Sequence, residues 1–408
     1  MMDRIIFLEN NVSGFEAMVK AKRRGHHVIF MTSDLKHYNK KFALDALQEV
    51  DEIIEIDSSV DVPGILGEIK RIGKIDAFLS FNDMHARTAA EVAKALGLPG
   101  IDPIAVANAK NKAKSRRIFK EKNVPSIHYT YVLEHELPKL KNINFPVVIK
   151  PTDGTASRFV KLLDHEDDLR KYYSEIKEVD SYGRSIKREK EFLIEKYITG
   201  DVVSVEMLCY EGSYHVLGLT GRDISGMPFF VETGFYFPLE REDADEIINV
   251  ALKAVEVLGI DFGFCHVELI LSEDGPVVIE VNPRLAGAVI PKLMHISTGQ
   301  DPLDHVLDLH LGKRIDIQGE QKKQLICGHY FYSNRVGKVQ RLHHLDEVRK
   351  LNYCIQASIT KGIGTHINGL SSNFDLIGNV IFEADDMEDA KLKKERIEQT
   401  VQIEVMDD

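Results

Sequence analysis

Two carboxylates are the residues of this chain whose type and spacing most directly indicate chemistry. Glu268 lies in an alternating segment, residues 266–271, and Glu280 lies in a second one, residues 277–282, after a turn-forming stretch at 272–276. Alternation of apolar and polar residues on both sides of a short turn predicts an antiparallel hairpin. The two acids then come from neighbouring strands.

The register of this hairpin decides where the two acids point, and two registers one residue apart are open. If Leu271 faces Val277, Glu268 lies directly opposite Glu280 and the reverse face is wholly apolar. A slip of one residue destroys that segregation, so the first register is favoured. The apolar face that it predicts consists of Val267, Leu269, Leu271, Val277, Ile279 and Val281.

Opposed carboxylates repel, so this register needs a compensating positive charge. The same face carries the amide of Asn282, opposite His266. Mg²⁺ prefers oxygen ligands and takes its remaining ones from waters and phosphates. We therefore predict that Glu268, Glu280 and Asn282 bind Mg²⁺ with ATP, with Mn²⁺ as the alternative ion. The competing interpretation is a solvated hairpin face with incidental acids.

Arg284 follows this predicted metal face after a proline. A guanidinium beside a metal–phosphate site can clamp anionic oxygens and stabilise charge on a transferring phosphoryl group. Arg284 is therefore a candidate catalytic residue.

The elements that position these residues begin with an alternating pattern of strands and helices. Apolar strands are predicted at 4–8, 28–31, 53–56 and 77–80, with helical segments between them. This alternation predicts parallel βαβ units and an open α/β domain.

The rest of the chain has a mixed pattern, so the fold class predicted for the whole is a multidomain α/β and α+β protein. A basic helix is expected over 110–122, a strand over 145–150, a helix over 166–176, and a strand over 192–198 with 202–209 as its hairpin partner. The predicted domains are 1–95, 96–195, 196–312 and 313–408.

The spacing of these motifs resembles the ATP-grasp superfamily. Glu268, eleven intervening residues, and Glu280 followed by Asn282 and Arg284 are similar to its metal-binding signature. The resemblance implies an ATP-grasp fold with an N-terminal open parallel α/β domain and a C-terminal lid-like α+β region. Other segments resemble family motifs in the same order: 111–125 the first lysine segment, 145–151 the second lysine strand, 153–158 the flexible phosphate loop, 195–200 the adenine hinge and 374–378 the lid.

The resemblance also implies which residues bind ATP. Lys112 and Lys150 would offer point charges to the phosphates. The alternatives are a surface lysine for Lys112 and a plain surface turn for the loop. The remaining ATP-binding candidates are Gly154, Thr155, Ala156 and Ser157 for the phosphates and Glu195, Lys196 and Ile198 for adenine.

Two positions depart from the family pattern. Val202 stands where many members carry a carboxylate that contacts the ribose, and Asn111 stands where an aspartate is common. Ribose binding is therefore left unassigned.

Within the superfamily, the chain resembles the L-amino acid ligases, which make dipeptides. The resemblance implies that Glu232 holds the amino group of a substrate, whereas the alternative is an exposed strand acid. Phe235 or Tyr236 stands where a histidine is often expected. The segments that carry this resemblance are 8–15, 80–83, 230–234 and 282–287.

The implied activity is dipeptide formation through an acyl phosphate, with release of ADP and phosphate and with Arg284, Glu232 and Ser157 as the catalytic groups. A ligase for another carboxylate and amine, of siderophore, nucleotide or bicarbonate type, stays open, as does a non-catalytic ATP-binding protein. An oxidoreductase is disfavoured because no G-x-G-x-x-G turn follows the first strand.

Composition restricts the partners. The net charge of −12 disfavours nucleic acid and anionic membranes as binding partners. No apolar run approaches the roughly 18 residues of a membrane span. We expect a cytoplasmic enzyme whose substrates are small molecules, namely amino acids, and a homodimer is left open.

Overall fold

The computed structural model describes residues 2–155, 157–183, 186–227, 229–317 and 324–407. None of the helices in these ranges combines the length and the apolar character that crossing a bilayer requires.

The N-terminal region folds around a four-stranded parallel sheet with the order β3-β2-β1-β4. Three of its strands, β1, β2 and β4, are nearly continuous buried apolar runs, as expected of parallel strands covered by helices on both faces, whereas the edge strand β3 is mostly exposed. The predicted open parallel α/β domain is confirmed. Its elements are β1 (Arg4–Leu8), α1 (Val12–Arg23), β2 (His27–Thr32), α2 (Lys41–Glu49), β3 (Glu52–Glu55), α3 (Val62–Ile72), β4 (Ala77–Leu79) and α4 (Ala86–Leu96).

Two helices follow where one was predicted. The helix expected over 110–122 is confirmed as α6 (Lys112–Glu121). A helix that the sequence did not predict, α5 (Pro103–Lys110), precedes it, and the chain leaves helical geometry at Asn111 between the two. The Asn111 side chain accepts a hydrogen bond from the backbone N–H of Lys114 at 3.0 Å and so caps α6. This break places Lys112 at the first position of α6.

A small antiparallel sheet with the order β5-β8-β6-β7 comes next. Helix α7 covers it with the buried side chains of Leu169, Tyr172 and Ile176. The pairing of β6 with β8 sets Val148 opposite Glu195, which brings the end of β6 beside that acid. The elements are β5 (Tyr129–Leu133), β6 (Val147–Pro151), β7 (Lys161–Leu163), α7 (Glu166–Ile176) and β8 (Glu191–Lys196).

An eight-stranded sheet forms the centre, in the order β13-β12-β9-β10-β11-β14-β18-β16. The segment 202–209 belongs to this sheet and not to that of β8, so its predicted pairing with 192–198 is wrong. Alternate residues of β9 instead pack against α8 (Ala244–Leu258) in the central core. The strands are β9 (Asp201–Tyr210), β10 (Ser213–Ile224), β11 (Glu232–Phe237), β12 (Gly263–Ser272), β13 (Gly275–Asn282), β14 (Leu325–Phe331), β16 (Cys354–Ile359) and β18 (Gly378–Ala384).

The C-terminal region is joined to this central sheet by main-chain hydrogen bonds. Strand β11 pairs with β14, and β14 pairs with β18, so the sheet continues across residue 312. A further three-stranded sheet has the order β17-β15-β19. The remaining elements are α9 (Ile290–Thr298), α10 (Pro302–His310), β15 (Val336–His343), α11 (Leu345–Arg349), β17 (His366–Asn368), α12 (Met387–Thr400) and β19 (Gln402–Met406).

The hairpin of β12 and β13 has the predicted opposition of acids. Glu268 pairs directly with Glu280, and His266 pairs with Asn282. The acids therefore lie on one face of neighbouring strands, as the favoured register requires.

The turn end of this hairpin differs from the prediction. Leu271 pairs with Pro276 rather than with Val277, and a bulge at Ile279 restores the register before the acids. Val278 is consequently the fully buried residue, whereas Val277 and Ile279 are only half-buried. The predicted apolar face is therefore wrong at Val277 and Ile279, because a bulge inserts one residue into the alternation.

Replacing Phe119 by alanine tests how strongly the central core holds α6. Phe119 is fully buried against α8 and the central sheet, so Phe119→Ala should lower the free energy of unfolding by about 3–5 kcal/mol. Denaturant unfolding followed by circular dichroism measures this change. The control Ile104→Ala, at an exposed position of α5, should change it by less than about 0.5 kcal/mol. Equal effects of the two variants would contradict this packing.

Candidate active site

Lys112 joins the loop after β6 to the acidic hairpin. Its Nζ donates to the carbonyl oxygen of Gly154 at 2.7 Å and to Oε1 of Glu280 at 3.0 Å. Only 6% of the residue is exposed, so Lys112 is not a surface lysine. Its backbone N–H also donates to the carbonyl of Thr152 at 2.9 Å. The first turn of α6 thereby holds both sides of the site together.

Glu195 is buried between two cations. Its carboxylate accepts from Nε of Arg116 at 2.8 Å and lies 2.6 Å from Nζ of Lys150. Burial raises the pKa of Glu195, but the charges of Arg116 and Lys150 outweigh burial and lower it. The predicted contact of this carboxylate with adenine would therefore share its oxygens with two ion pairs.

Lys150 is held in a buried position at the end of β6. Burial of the ammonium, helped by nearby Arg116, lowers the pKa of Lys150 to about 8, although Glu195 opposes the shift. Arg116 also donates to the carbonyl oxygen of Ile279 at 2.6 Å. One guanidinium thus contacts both the small sheet and the bulge in β13.

The loop after β6 is tightly packed at its start. A Cβ at Gly154 would lie 2.6 Å from Cγ of Pro151, so no larger residue fits there without movement. Thr155 is half-buried, and Ser157 is exposed with a φ of 55°. Ala156 lies outside the described residues. The exposed end of this loop is therefore the part that faces the solvent, while its start is tightly packed.

The predicted adenine hinge lies at the end of β8. Lys196 is exposed and Ile198 is half-buried. The backbone N–H of Lys196 donates to the carbonyl of His128 at 3.0 Å. An adenine ring that binds the backbone at Lys196 would therefore donate to the carbonyl oxygen of Lys196, because the N–H of Lys196 already donates to His128.

The predicted metal ligands form one face of β12 and β13. Glu268 and Glu280 are partly exposed there, and Asn282 is buried. Across the described ranges, no group of three or more His, Cys, Asp or Glu side chains is arranged to hold a metal ion. Two carboxylates and an amide, all oxygen donors on one face, do fit a Mg²⁺ ion that takes its other ligands from waters and phosphates.

Arg284 is fixed by an aspartate that sequence reasoning left without a role. Its Nε and one terminal nitrogen donate to the two carboxylate oxygens of Asp83, each at 2.7 Å. Lys110 contacts the same carboxylate at 2.9 Å. Burial raises the pKa of Asp83, but Arg284 and Lys110 outweigh it and hold the pKa well below its usual range. In the sequence, the one indication of a role for Asp83 was its place in the segment 80–83, which resembles the L-amino acid ligases.

Arg222, in β10, links the predicted amine-binding and metal-binding acids. Its side chain is 4% exposed, donates to Oε1 of Glu232 and lies 3.6 Å from Oε2 of Glu268. The same guanidinium lies 2.8 Å from Nε2 of His266. Sequence reasoning missed Arg222, and the one available signal was a charged pair, Arg222 and Asp223, at the end of a strand whose other residues are mostly apolar.

His266 is the second basic residue of this network. Its Nδ1 lies 2.8 Å from Oε2 of the buried Glu206, and its Nε2 lies 3.2 Å from Oε1 of Glu268. Burial lowers the pKa of His266, but the Glu206 carboxylate outweighs burial and raises it to about 9. With Glu232 included, three carboxylates surround the basic groups of Arg222 and His266.

Glu232 is also held from the C-terminal region. Its backbone N–H donates to Oδ1 of Asn373 at 3.0 Å, and Nδ2 of Asn373 donates to its Oε2 at 3.3 Å. The half-buried carboxylate is therefore oriented by Arg222 on one side and by Asn373 on the other, and is not a freely exposed strand acid.

A cleft of about 1000 Å³ opens beside these groups. Its walls include Asp83, Thr155 and Ser157, together with Asn373 and Val231 next to Glu232. The structure therefore brings three features to one cleft: the predicted phosphate loop, the aspartate that holds Arg284, and the surroundings of Glu232, the predicted amine-binding residue.

Three family models match this chain. Residues 16–100 match the ATP-grasp N-terminal domain, residues 143–292 match the ATP-grasp domain, and residues 329–406 match the L-amino acid ligase C-terminal domain 2.

Similar proteins include ligases and a protein without an assigned activity. An uncharacterised protein of Sinorhizobium fredii is 26% identical over 93% of this chain and 78% of its own length. The alanine–anticapsin ligase of Bacillus amyloliquefaciens is 29% identical over 62% of this chain, and the matched part spans 58% of that ligase.

Solved structures share the fold over the full length. The L-amino acid ligase from Bacillus licheniformis superposes with a TM-score of 0.84 at 21% identity and 99% coverage of both chains. Phosphoribosylglycinamide synthetase from Anaerococcus prevotii superposes with a TM-score of 0.73 at 19% identity and 100% coverage of both chains. The chain therefore carries an ATP-grasp N-terminal domain over residues 16–100 and an ATP-grasp domain over residues 143–292, and it shares the fold of these solved structures.

Proposed function

We propose that this chain is an ATP-dependent ligase that joins two L-amino acids into a dipeptide through an acyl phosphate. The observation that carries the proposal is Arg222, which contacts both Glu232 and Glu268. An acid suited to an amino group and an acid suited to a metal–phosphate group thus share one guanidinium. This shared contact supports a site in which the amine is recognised next to the phosphate chemistry.

The chain's own cations would position the nucleotide. Lys112 is buried against the carbonyl oxygen of Gly154, and Lys150 is buried at the end of β6 beside Glu195. Their ammonium groups suit phosphate oxygens as point charges. Mg²⁺ held by Glu268, Glu280 and Asn282 would neutralise the phosphate charge. Closure of the loop that carries Ser157 would exclude water, which otherwise hydrolyses an acyl phosphate.

Arg284 would stabilise the anionic oxygens of the acyl phosphate and of the later tetrahedral intermediate. The two hydrogen bonds to Asp83 fix the plane of its guanidinium. A preorganised donor of this kind is effective because little reorganisation is needed as charge develops.

Glu232 would hold the amino group of the amino acid that is activated. An amino group paired with a carboxylate is an ammonium and has no lone pair for attack, so the substrate at Glu232 is the acyl donor and becomes the N-terminal residue. The neutral amine of the second amino acid attacks the carbonyl carbon. A C–N bond forms, the C–O bond to phosphate breaks, and the amine loses a proton.

Replacing Glu280 by glutamine tests the metal face and the reaction together. Purified protein should release ADP and phosphate only with the correct amino acids and Mg²⁺, and Glu280→Gln should abolish that release because one anionic ligand is lost. Coupled ADP and phosphate assays measure this, with mass detection of dipeptide.

The matched control is Glu273→Gln, in the exposed turn of the same hairpin, which should keep full turnover. Full turnover of Glu280→Gln would refute the metal assignment. If phosphate is released with bicarbonate or with another acid that is not an amino acid, and with no pair of amino acids, the product is not a dipeptide.

The pKa of Lys150 predicts how ATP recognition depends on pH. Lys150 is charged below its pKa of about 8 and neutral above it, so the KM for ATP should rise as the pH increases from 7 to 9.5. In Lys150→Arg the charge persists across this range, so the KM should stay flat. Steady-state kinetics at saturating amino acid measure both. A flat wild-type profile would argue against a phosphate contact.

Replacing Asp83 by asparagine tests the anchoring of Arg284. The variant loses one charged acceptor, so Arg284 should leave its productive orientation and kcat should fall by about 10–100-fold. The KM for ATP should change by less than about threefold, because the side chain of Asp83 bonds to Arg284 and Lys110 and to none of the described residues predicted to bind ATP. The control Asp57→Asn, an exposed acid of the same region, should keep wild-type kinetics. An unchanged kcat in a folded Asp83→Asn protein would exclude this anchoring role.

A further inference from the structure

Aromatic side chains are concentrated on the walls of the cleft. Phe374 is 68% exposed, Phe229 is 40% exposed and Phe42 is 43% exposed, and all three line the same opening. Large apolar side chains grouped at one cleft mark a binding surface rather than ordinary surface composition.

Phe374 is presented by a rigid turn. Next to it, the buried carboxylate of Asp375 accepts hydrogen bonds from Oγ of Ser371 at 2.8 Å, from Oγ of Ser372 at 3.0 Å and from the backbone N–H of Asn368 at 3.2 Å. The backbone is thus held on both sides of an exposed phenyl ring. Such a ring is available for a ligand without further ordering of the chain.

The segment before β11 forms the adjoining wall. The backbone N–H of Ser225 donates to the carbonyl of Val231 at 2.7 Å, and Oγ of Ser225 accepts from the N–H of Val231 at 3.0 Å. These bonds close the loop that carries Phe229. The ring of Phe230 lies 6.4 Å from that of Tyr197. Both walls of the cleft therefore carry aromatic side chains on segments that are held in place by hydrogen bonds.

The two walls meet at Glu232. Val231 directly precedes it, and Asn373, which directly precedes Phe374, makes two hydrogen bonds to it. The described cleft residues of these two segments, 229–231 and 371–374, are all uncharged. A charged side chain packed against these two segments would lose hydration without gaining a partner from them, since the charged residues that line the cleft, such as Asp83, Lys161 and Glu175, belong to other segments.

We propose that the amino acid held by Glu232 carries a bulky apolar side chain, aromatic by preference, and that Phe374 and Phe229 select it. This inference rests on the proposed function and names its acyl-donor class. The donor's side chain packs against the two phenyl rings while its ammonium is bound by Glu232. The product is then a dipeptide with a bulky apolar N-terminal residue.

The test compares phenylalanine, leucine, alanine and lysine as donors, with one fixed acceptor amino acid, saturating ATP and Mg²⁺. Tandem mass spectrometry of the product identifies which residue is N-terminal. Wild-type protein should prefer phenylalanine and leucine as donors. In Phe374→Ala and in Phe229→Ala, the ratio of kcat/KM for phenylalanine to that for alanine should fall by about tenfold or more.

The control is Ile363→Ala, another highly exposed apolar residue of the C-terminal region that does not line the cleft; its ratio and its turnover should equal those of wild type. Phe374→Leu should restore part of the ratio because it restores apolar bulk. Dipeptides formed with an unchanged ratio in both alanine variants, or a wild-type preference for alanine or lysine, overturn this inference alone. Formation of no dipeptide from any pair overturns the proposed function instead.

Discussion

Glu268 and Glu280 face each other from adjacent strands, and like charges in that position repel. The neighbouring elements each supply a cation to this pair. Lys112, from the start of α6, contacts Glu280, while Arg222 and His266, from β10 and β12, contact or approach Glu268. The positive charges that make the hairpin stable are also those that connect it to the rest of the site.

This compensation explains why distant parts of the chain converge. Lys112 ties the hairpin to the loop after β6, and Arg222 ties it to Glu232 in β11. Asp83 brings the N-terminal sheet to Arg284, and Asn373 brings the C-terminal region to Glu232. Each contact joins an ionic or strongly polar pair that is partly buried, where screening by solvent is weak.

The parallel N-terminal domain and the opposition of the two acids were predictable because both follow from short-range periodicity. The break at Asn111 was not, because one capping side chain decided it. Nor was the sheet that receives 202–209, since adjacency in sequence favours a hairpin and only packing against α8 selects another partner. Arg222 and Glu206 escaped notice because a buried charge is identifiable only once its partners, here far away in sequence, are in place.

The bulge at Ile279 separates the length of the hairpin turn from the geometry of the acids. A residue gained or lost on the turn side of Ile279 can be absorbed there by a change of bulge, because the pairing of Glu268 with Glu280 is set again beyond it. A residue inserted between Ile279 and Asn282 cannot be absorbed by the bulge. It would turn the side chain of every predicted ligand that follows it to the opposite face of the sheet. Length variation in this hairpin should therefore be tolerated at its tip and excluded at its base, whichever residues occupy either place.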